Sequence, residues 1–180
     1  MTRLFVAIEI PVSLSDQIAV IQKQIEALAQ MTCVSPSLMH ITLTFIGEVN
    51  ERDVDAISSA LNTVSSRSFS LSTKATEFNN RRQPRVLWLA MHANPAILEL
   101  EKKVGEVLIP FGIKAERRQY HPHITIARIK RSSPELIALV DSYRDHISCN
   151  FDVSSFVLKK SVLTRDGPIY SDISEVSLHA

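Results

Sequence analysis

Two short segments of this chain pair a titratable imidazole with a hydroxyl at strand spacing: His40-Ile41-Thr42-Leu43-Thr44 and His123-Ile124-Thr125-Ile126-Ala127-Arg128. Alternate side chains of a strand share a face. His40, Thr42 and Thr44 are therefore expected on one surface with Ile41 and Leu43 in a core, and His123 and Thr125 likewise beside Ile124 and Ile126. Imidazole titrates at about pH 6.5 and suits both the taking and the giving of a proton. Two such groups in one cleft can divide the protons of a phosphoryl displacement. One, neutral, accepts from the attacking water or hydroxyl; the other, charged, donates to the leaving oxygen. The threonines add neutral donors for a non-bridging phosphate oxygen without placing a charge beside the histidines. Arg128 lies five residues beyond His123, so strand parity puts it on the opposite face unless the strand ends or bulges, with reach to phosphate from the cleft rim.

The elements that must position these groups follow from periodicity. A strand over residues 3 to 10 leads through Pro11 and Ser13 into a helix to about Gln30, striped with Leu14, Ile18, Ile21, Ile25 and Leu28. The first motif strand spans about 39 to 46 and stops at Gly47, and Asn50 can cap a helix carrying Val54, Ile57, Leu61 and Val64. Strands over 69–78 and 85–91 follow. Asn94-Pro95 opens a helix that Pro110 and Gly112 end; the second motif strand covers about 123–129, and Ser133-Pro134 starts another helix. Residues 151–163 and 169–178 alternate as strands around the turn Arg165-Asp166-Gly167-Pro168.

The same order occurs twice at a nearly constant offset. His123 lies 83 residues after His40, Phe151 82 after Phe69, and Val86 81 after Phe5. This predicts an α+β, bilobal, pseudo-twofold duplicated fold: two antiparallel sheets lining a central cleft, with helices outside. The lobes form one domain over residues 1–180, since no Gly-, Ser- or Pro-rich linker divides them.

Composition narrows the chemistry. The chain has 180 residues, 45% apolar and 22% charged, with a formal net charge of +1. It is long enough to bury roughly 70% of its unfolded surface. No apolar run approaches the roughly 20 residues of a membrane span, and the apolar start holds Glu9 and lacks a cleavage pattern, so a cytoplasmic protein is expected. Cys33 and Cys149 stand in unrelated contexts and read as structural thiols. Arg81, Arg82 and Arg85, then Lys114, Arg117 and Arg118, then Arg128, Lys130 and Arg131 form local basic clusters, either solvated turns or a positive mouth for a phosphate-bearing partner. A zinc set of His40, His121 and His123 competes for the same histidines, but no Asp or Glu adjoins either motif. No glycine-flanked serine and no Gly-rich phosphate loop occurs, so ATP is not an expected substrate.

Taken together, the opening Arg3-Leu4-Phe5-Val6-Ala7-Ile8, the run Met39 to Val49 and the run Tyr120 to Arg128 resemble the two-histidine (2H) phosphoesterase superfamily. Within it they look like the bacterial and archaeal RNA 2′,3′-cyclic phosphodiesterases, also called 2′-5′ RNA ligases. The resemblance covers essentially the whole chain. It implies opening of an RNA 2′,3′-cyclic phosphate to a 2′-phosphomonoester with no cofactor and no metal, by a site that can also run backwards and join ends through a 2′-5′ linkage. It maps His40 to proton donor, His123 to proton acceptor, and Thr42 and Thr125 to phosphate binding, beside the Arg128 that the residues themselves suggest for the same phosphate. Ala127 stands where the first motif has Thr44, which touches only an auxiliary hydroxyl. Phe5 is available by analogy to stack a base or to pack in the core. The expected partner is RNA with a cyclic phosphate end, bound by a monomer. A small-nucleotide cyclic phosphodiesterase and a catalytically idle RNA-end binding module are the alternatives.

Overall fold

The structure, a computed structural model, describes residues 1–113, 119–165 and 167–180. Lys114, Arg117 and Arg118 of the second basic cluster, and Asp166 of the last turn, lie outside the described residues. The strands are β1 (Thr2–Glu9), β2 (Gln30–Cys33), β3 (His40–Val49), β4 (Phe69–Phe78), β5 (Val86–Met91), β6 (His123–Arg131), β7 (Asn150–Val153), β8 (Ser155–Thr164) and β9 (Gly167–Ser177); the α-helices are α1 (Val12–Ile25), α2 (Val54–Leu61), α3 (Pro95–Leu108) and α4 (Pro134–Ser142).

Both antiparallel sheets of the duplication are present, and they meet edge to edge. The strand order reads β7-β4-β5-β6-β3-β1-β8-β9, a sequence that maps onto itself when the two halves are exchanged. The halves join at the single pair Ile41–Ile124, and β2 takes up the rest of the β6 edge, from Ala127 to Arg131. One apolar face carries the core. Leu4, Val6 and Ile8 of β1, Ile41 and Leu43 of β3, and Leu87 and Leu89 of β5 share a cluster with Leu14 and Ile18 of α1, Ile97 and Leu100 of α3 and Leu136 of α4. The helices therefore cover that face and leave the other to the motif residues. Asn94 and Ser133 cap α3 and α4 by accepting from the backbone N–H of Ile97 and Leu136 at 3.0 and 3.1 Å.

Several boundaries differ from the periodic reading, each for a local reason. Helix α1 ends at Ile25, five residues early, because residues 30–33 gain a ladder on the free edge of β6. Strand β3 does not stop at Gly47 but runs through it to Val49: Gly47 takes a positive φ of 85° at an irregularity where Leu4 and Phe5 pair with Gly47 and Phe45, skipping Ile46. Asn50 precedes a 3-10 turn, Glu51–Asp53, and makes no side-chain cap. The single strand expected over 151–163 is two. At Ser154 the chain leaves β7, which pairs with β4, and enters β8, which pairs with β1. The topological counterpart of β4 is therefore β8, not the strand that begins at Phe151.

A bulge recurs in both motif strands. Val6 and Ala7 pair with Thr44 and Thr42, skipping Leu43; Leu87 and Trp88 pair with Ala127 and Thr125, skipping Ile126. Leu43 and Ile126 are again 83 residues apart. The backbone of the second bulge is tied down from outside the sheet. The Ile126 carbonyl accepts from the Val34 N–H at 2.9 Å and from Gln22 Nε2 at 2.9 Å, and Gln22 also donates to the Val34 carbonyl at 2.7 Å. Gln22 is buried on α1, so truncation leaves two interior carbonyls short of a donor. Gln22→Ala is expected to cost about 1 to 3 kcal/mol in chemical denaturation; a loss below about 0.5 kcal/mol would show that the amide does not hold the bulge.

Candidate active site

The seam pair sets the site. Residues directly opposite on antiparallel strands project to the same face. With Ile41 across from Ile124 on the core side, position 40 stands across from 125 and position 42 across from 123 on the other side. Each histidine thus faces the threonine of the other motif, and the pairing extends no further, so the strands part around the four side chains.

The two imidazoles are held by the same device. His40 Nδ1 lies 2.8 Å from the Leu38 carbonyl and His123 Nδ1 2.7 Å from the His121 carbonyl, each two residues upstream. A carbonyl only accepts, so both Nδ1 atoms carry the proton and both Nε2 atoms are left for chemistry. His40 Nε2 lies 3.1 Å from Thr42 Oγ1, within reach of the hydroxyl that shares its face. Each ring also rests on an aromatic partner. His40 lies 4.9 Å from Phe5 and 5.5 Å, edge-on, from Tyr170; His123 lies 4.4 Å from Trp88. Tyr120 ties the motifs together by donating from its hydroxyl to the Thr42 carbonyl at 2.9 Å. Burial, with the nearby Glu101 charge adding, pushes its phenol up, so it stays a neutral donor.

Burial is also the largest influence on both histidines, and it lowers both from their ordinary value. For His40 the Leu38 hydrogen bond opposes this, the Lys159 charge adds to it, the Glu9 carboxylate opposes it, and His123 adds a further lowering. The register of Ile41 against Ile124 is what sets both rings on one face. For His123 the His121 backbone opposes burial and the His121 ring adds to it.

The bulges decide which other residues reach this face. Arg128 was expected opposite His123 in the absence of a bulge. The bulge at Ile126 reverses parity beyond it, and Arg128, exposed and paired with Val86, emerges on the face of His123 and Thr125. The equivalent bulge removes Thr44 from that face. Thr44 sits opposite the core residue Val6, and its hydroxyl is buried with no hydrogen-bond partner among the described residues. The expected surface of His40, Thr42 and Thr44 is therefore His40 and Thr42 alone. Ala127, at the matching place, is also on the core side, and its lack of a hydroxyl costs the site nothing. Phe5 is 2% exposed beneath His40 and offers no open face to a base. The aromatic ring that is open on that face is Phe45, 62% exposed and paired with Phe5.

Three contributors were not singled out from sequence. Trp88 is the chain's lone tryptophan and sits at a non-core position of an alternating strand, a signal that was available. Tyr170 and Lys159 come from the C-terminal hairpin, which carries no motif, and no local pattern announced them. Two basic residues of the β4–β5 turn serve the scaffold: Arg81 pairs with Asp141, and Arg85 donates to the Lys130 carbonyl at 3.1 Å. His121 is exposed, and among the described residues no group of three or more His, Cys, Asp or Glu side chains is arranged to hold a metal ion. Cys33 and Cys149 are free and half-buried.

Paired imidazoles presenting Nε2 across a seam, each facing a hydroxyl, define a phosphoesterase of the two-histidine type. Comparison with known proteins agrees. A sequence model of the LigT-like phosphoesterase family matches the chain twice, over residues 8–88 and 90–170, and the chain belongs to that family. The RNA 2′,3′-cyclic phosphodiesterase of Archaeoglobus fulgidus is 33% identical over 172 residues, covering 95% of this chain and 97% of its own. The protein of the same name from Methanocaldococcus jannaschii is 34% identical over 175 residues, covering 96% and 99%. Among solved structures, E. coli LigT complexed with 3′-AMP superposes with a TM-score of 0.84 at 25% identity over 99% of both chains. Among the described residues, no helix is long and apolar enough to cross a membrane.

The charges around His40 give a direct test. Lys159 is held by Glu9 and, at 2.6 Å, by Asp172. Lys159→Met removes the cation and leaves both carboxylates, so the His40 titration followed by NMR should move upward; an unchanged or lowered midpoint would contradict this electrostatic arrangement.

Proposed function

We propose that this protein is an RNA 2′,3′-cyclic phosphodiesterase that opens a terminal cyclic phosphate to a 2′-phosphomonoester by acid–base catalysis between His123 and His40. The observation that carries the reading is the pair of imidazoles on one face of the seam, each with Nδ1 committed to a backbone carbonyl and Nε2 turned away from it. The relatives named RNA 2′,3′-cyclic phosphodiesterase, matched over nearly the whole chain, supply the substrate class.

In the proposed cycle His123 Nε2 takes a proton from water as its oxygen attacks phosphorus. The bond from phosphorus to the 3′ oxygen breaks, and the protonated Nε2 of His40 gives its proton to that oxygen. The products are a 2′-phosphate and a free 3′ hydroxyl, and exchange with solvent returns the proton from His123 to His40. Thr42 and Thr125 donate to the non-bridging oxygens, and Arg128 supplies the cation that the developing negative charge requires. A 5′ hydroxyl in the place of water yields a 2′-5′ linkage from the same groups. The assignment of donor and acceptor follows the family resemblance.

Purified protein incubated with chelator and an oligonucleotide ending in a 2′,3′-cyclic phosphate should release only the 2′-phosphate. A 3′-phosphate product, or turnover only on adding metal, would overturn the mechanism. His40→Ala and His123→Ala should each lower kcat by about 10² to 10⁴, while an idle binding module would show no turnover to lose.

The pH profile is a separate check. His123 acts neutral, so its limb rises through its pKa; His40 acts charged, so its limb falls through its own. Both pKa values are lowered in the free protein, so the optimum of kcat/KM should lie below about pH 6.5. Bound phosphate favours the His40 imidazolium, so the falling limb of kcat should sit higher than that of kcat/KM. A kcat/KM profile flat from about pH 5 to 9 would contradict the pair.

A further inference from the structure

A pocket of about 310 Å³ opens beside His40, lined by Glu9, Ser37 to His40, Lys159 and Tyr170 to Asp172. It lies at the lower end of the size of small-molecule sites, and His123 is not among the residues that line it. Its one cation is already committed. The Lys159 ammonium, on a residue 8% exposed, is shared between Glu9 Oε1 and Asp172 Oδ1. Burial pulls that ammonium toward neutrality, but the two hydrogen-bonded carboxylates outweigh it and keep it charged. One positive and two negative charges leave the wall net negative. Glu9 Oε2 and Asp172 Oδ2, each on a carboxylate more than half exposed, make no hydrogen bond among the described residues and remain open as acceptors. A phosphate would be repelled here, so the pocket is not where the cyclic ester sits.

We propose that this pocket receives the base of the terminal nucleotide and selects bases that carry an amino group. The inference rests on the reaction above, which brings the 3′ oxygen to His40 and hence the terminal nucleoside to the wall His40 shares with the pocket. A nucleoside whose 2′ and 3′ oxygens are both esterified in the ring has no free hydroxyl of its own to offer. The only donors it brings to Glu9 and Asp172 are N–H groups of its base. Adenine and cytosine present an exocyclic amine and guanine an adjacent imino and amino pair, which carboxylates accept. Uracil presents one N–H flanked by two carbonyls, which the carboxylates repel. The half-buried Tyr170 ring, edge-on to His40 at 5.5 Å, forms an apolar wall for a base held there.

The test is kcat/KM, with chelator present, on four oligonucleotides that differ only in the nucleotide bearing the cyclic phosphate. Ends in A, C and G should each exceed the end in U by about tenfold or more, the size of one good hydrogen-bonded base contact. Asp172→Asn replaces an acceptor with an amide that both donates and accepts, so it should narrow that gap to about threefold or less. Equal rates within about twofold in the wild type, or an unchanged gap in Asp172→Asn, would overturn the assignment. Equilibrium binding of the 2′-phosphates of cytidine and uridine separates the two readings. A preference for the cytidine compound without turnover of any oligonucleotide would sink the proposed reaction and keep the pocket; turnover with no preference in binding would do the reverse.

Discussion

One antiparallel contact, Ile41 against Ile124, organises this molecule. It is the sole ladder pair between the motif strands, and both residues are fully buried. Because they point to the core, their neighbours on either side must point away from it, and antiparallel register then sets 40 against 125 and 42 against 123. A slip of one residue would turn all four site residues into the core and expose the isoleucines. Apolar burial on one face therefore fixes the placement of the histidines and threonines on the other. Tyr120 reinforces the seam from outside by its bond to the Thr42 carbonyl, and β2 fills the β6 edge that β3 leaves free.

The halves are alike in backbone and unlike in charge. Each histidine is oriented by a carbonyl two residues upstream and braced by an aromatic ring, yet the strands around them differ. The long β8–β9 hairpin brings Lys159, Asp172 and Tyr170 to His40; the corresponding edge near His123 is the shorter pairing of β4 with β7. Burial keeps both imidazoles below their ordinary pKa in the free protein, which disfavours a charged pair of neighbouring rings. An arriving anion changes that balance most for the ring that can share its proton with the phosphate ester. In the proposed reaction the scaffold poises the site and the ligand charges it.

The sequence made the motif residues legible because strand alternation is a local property, and the repeat offset turned two weak patterns into halves of one site. The helices α3 and α4 were equally readable from Asn94-Pro95 and Ser133-Pro134, whose side chains do cap them. What could not be read was non-local. Strand β2 looks like the tail of a helix until β6 offers its free edge. The break at Ser154 exists because successive strands serve opposite halves of the sheet. Lys159 sits at a largely buried position of β8, and the approach of Glu9 and Asp172 from other strands explains why a charge is tolerated there.

The two bulges show how a duplicated strand can yield unequal halves. Parity fails at Leu43 and at Ile126, and the positions two beyond them, Phe45 and Arg128, both return to the site face. One half thus presents an open aromatic ring where the other presents a guanidinium. In the proposed reaction a phosphate ester needs a cation on one side; a second at the matching place would further disfavour the imidazolium assigned to the leaving oxygen. An aromatic surface there adds no charge. Conserving the bulge while exchanging the residue it delivers keeps the backbone symmetry that the seam demands. It also supplies the chemical asymmetry that the proposed donor and acceptor require.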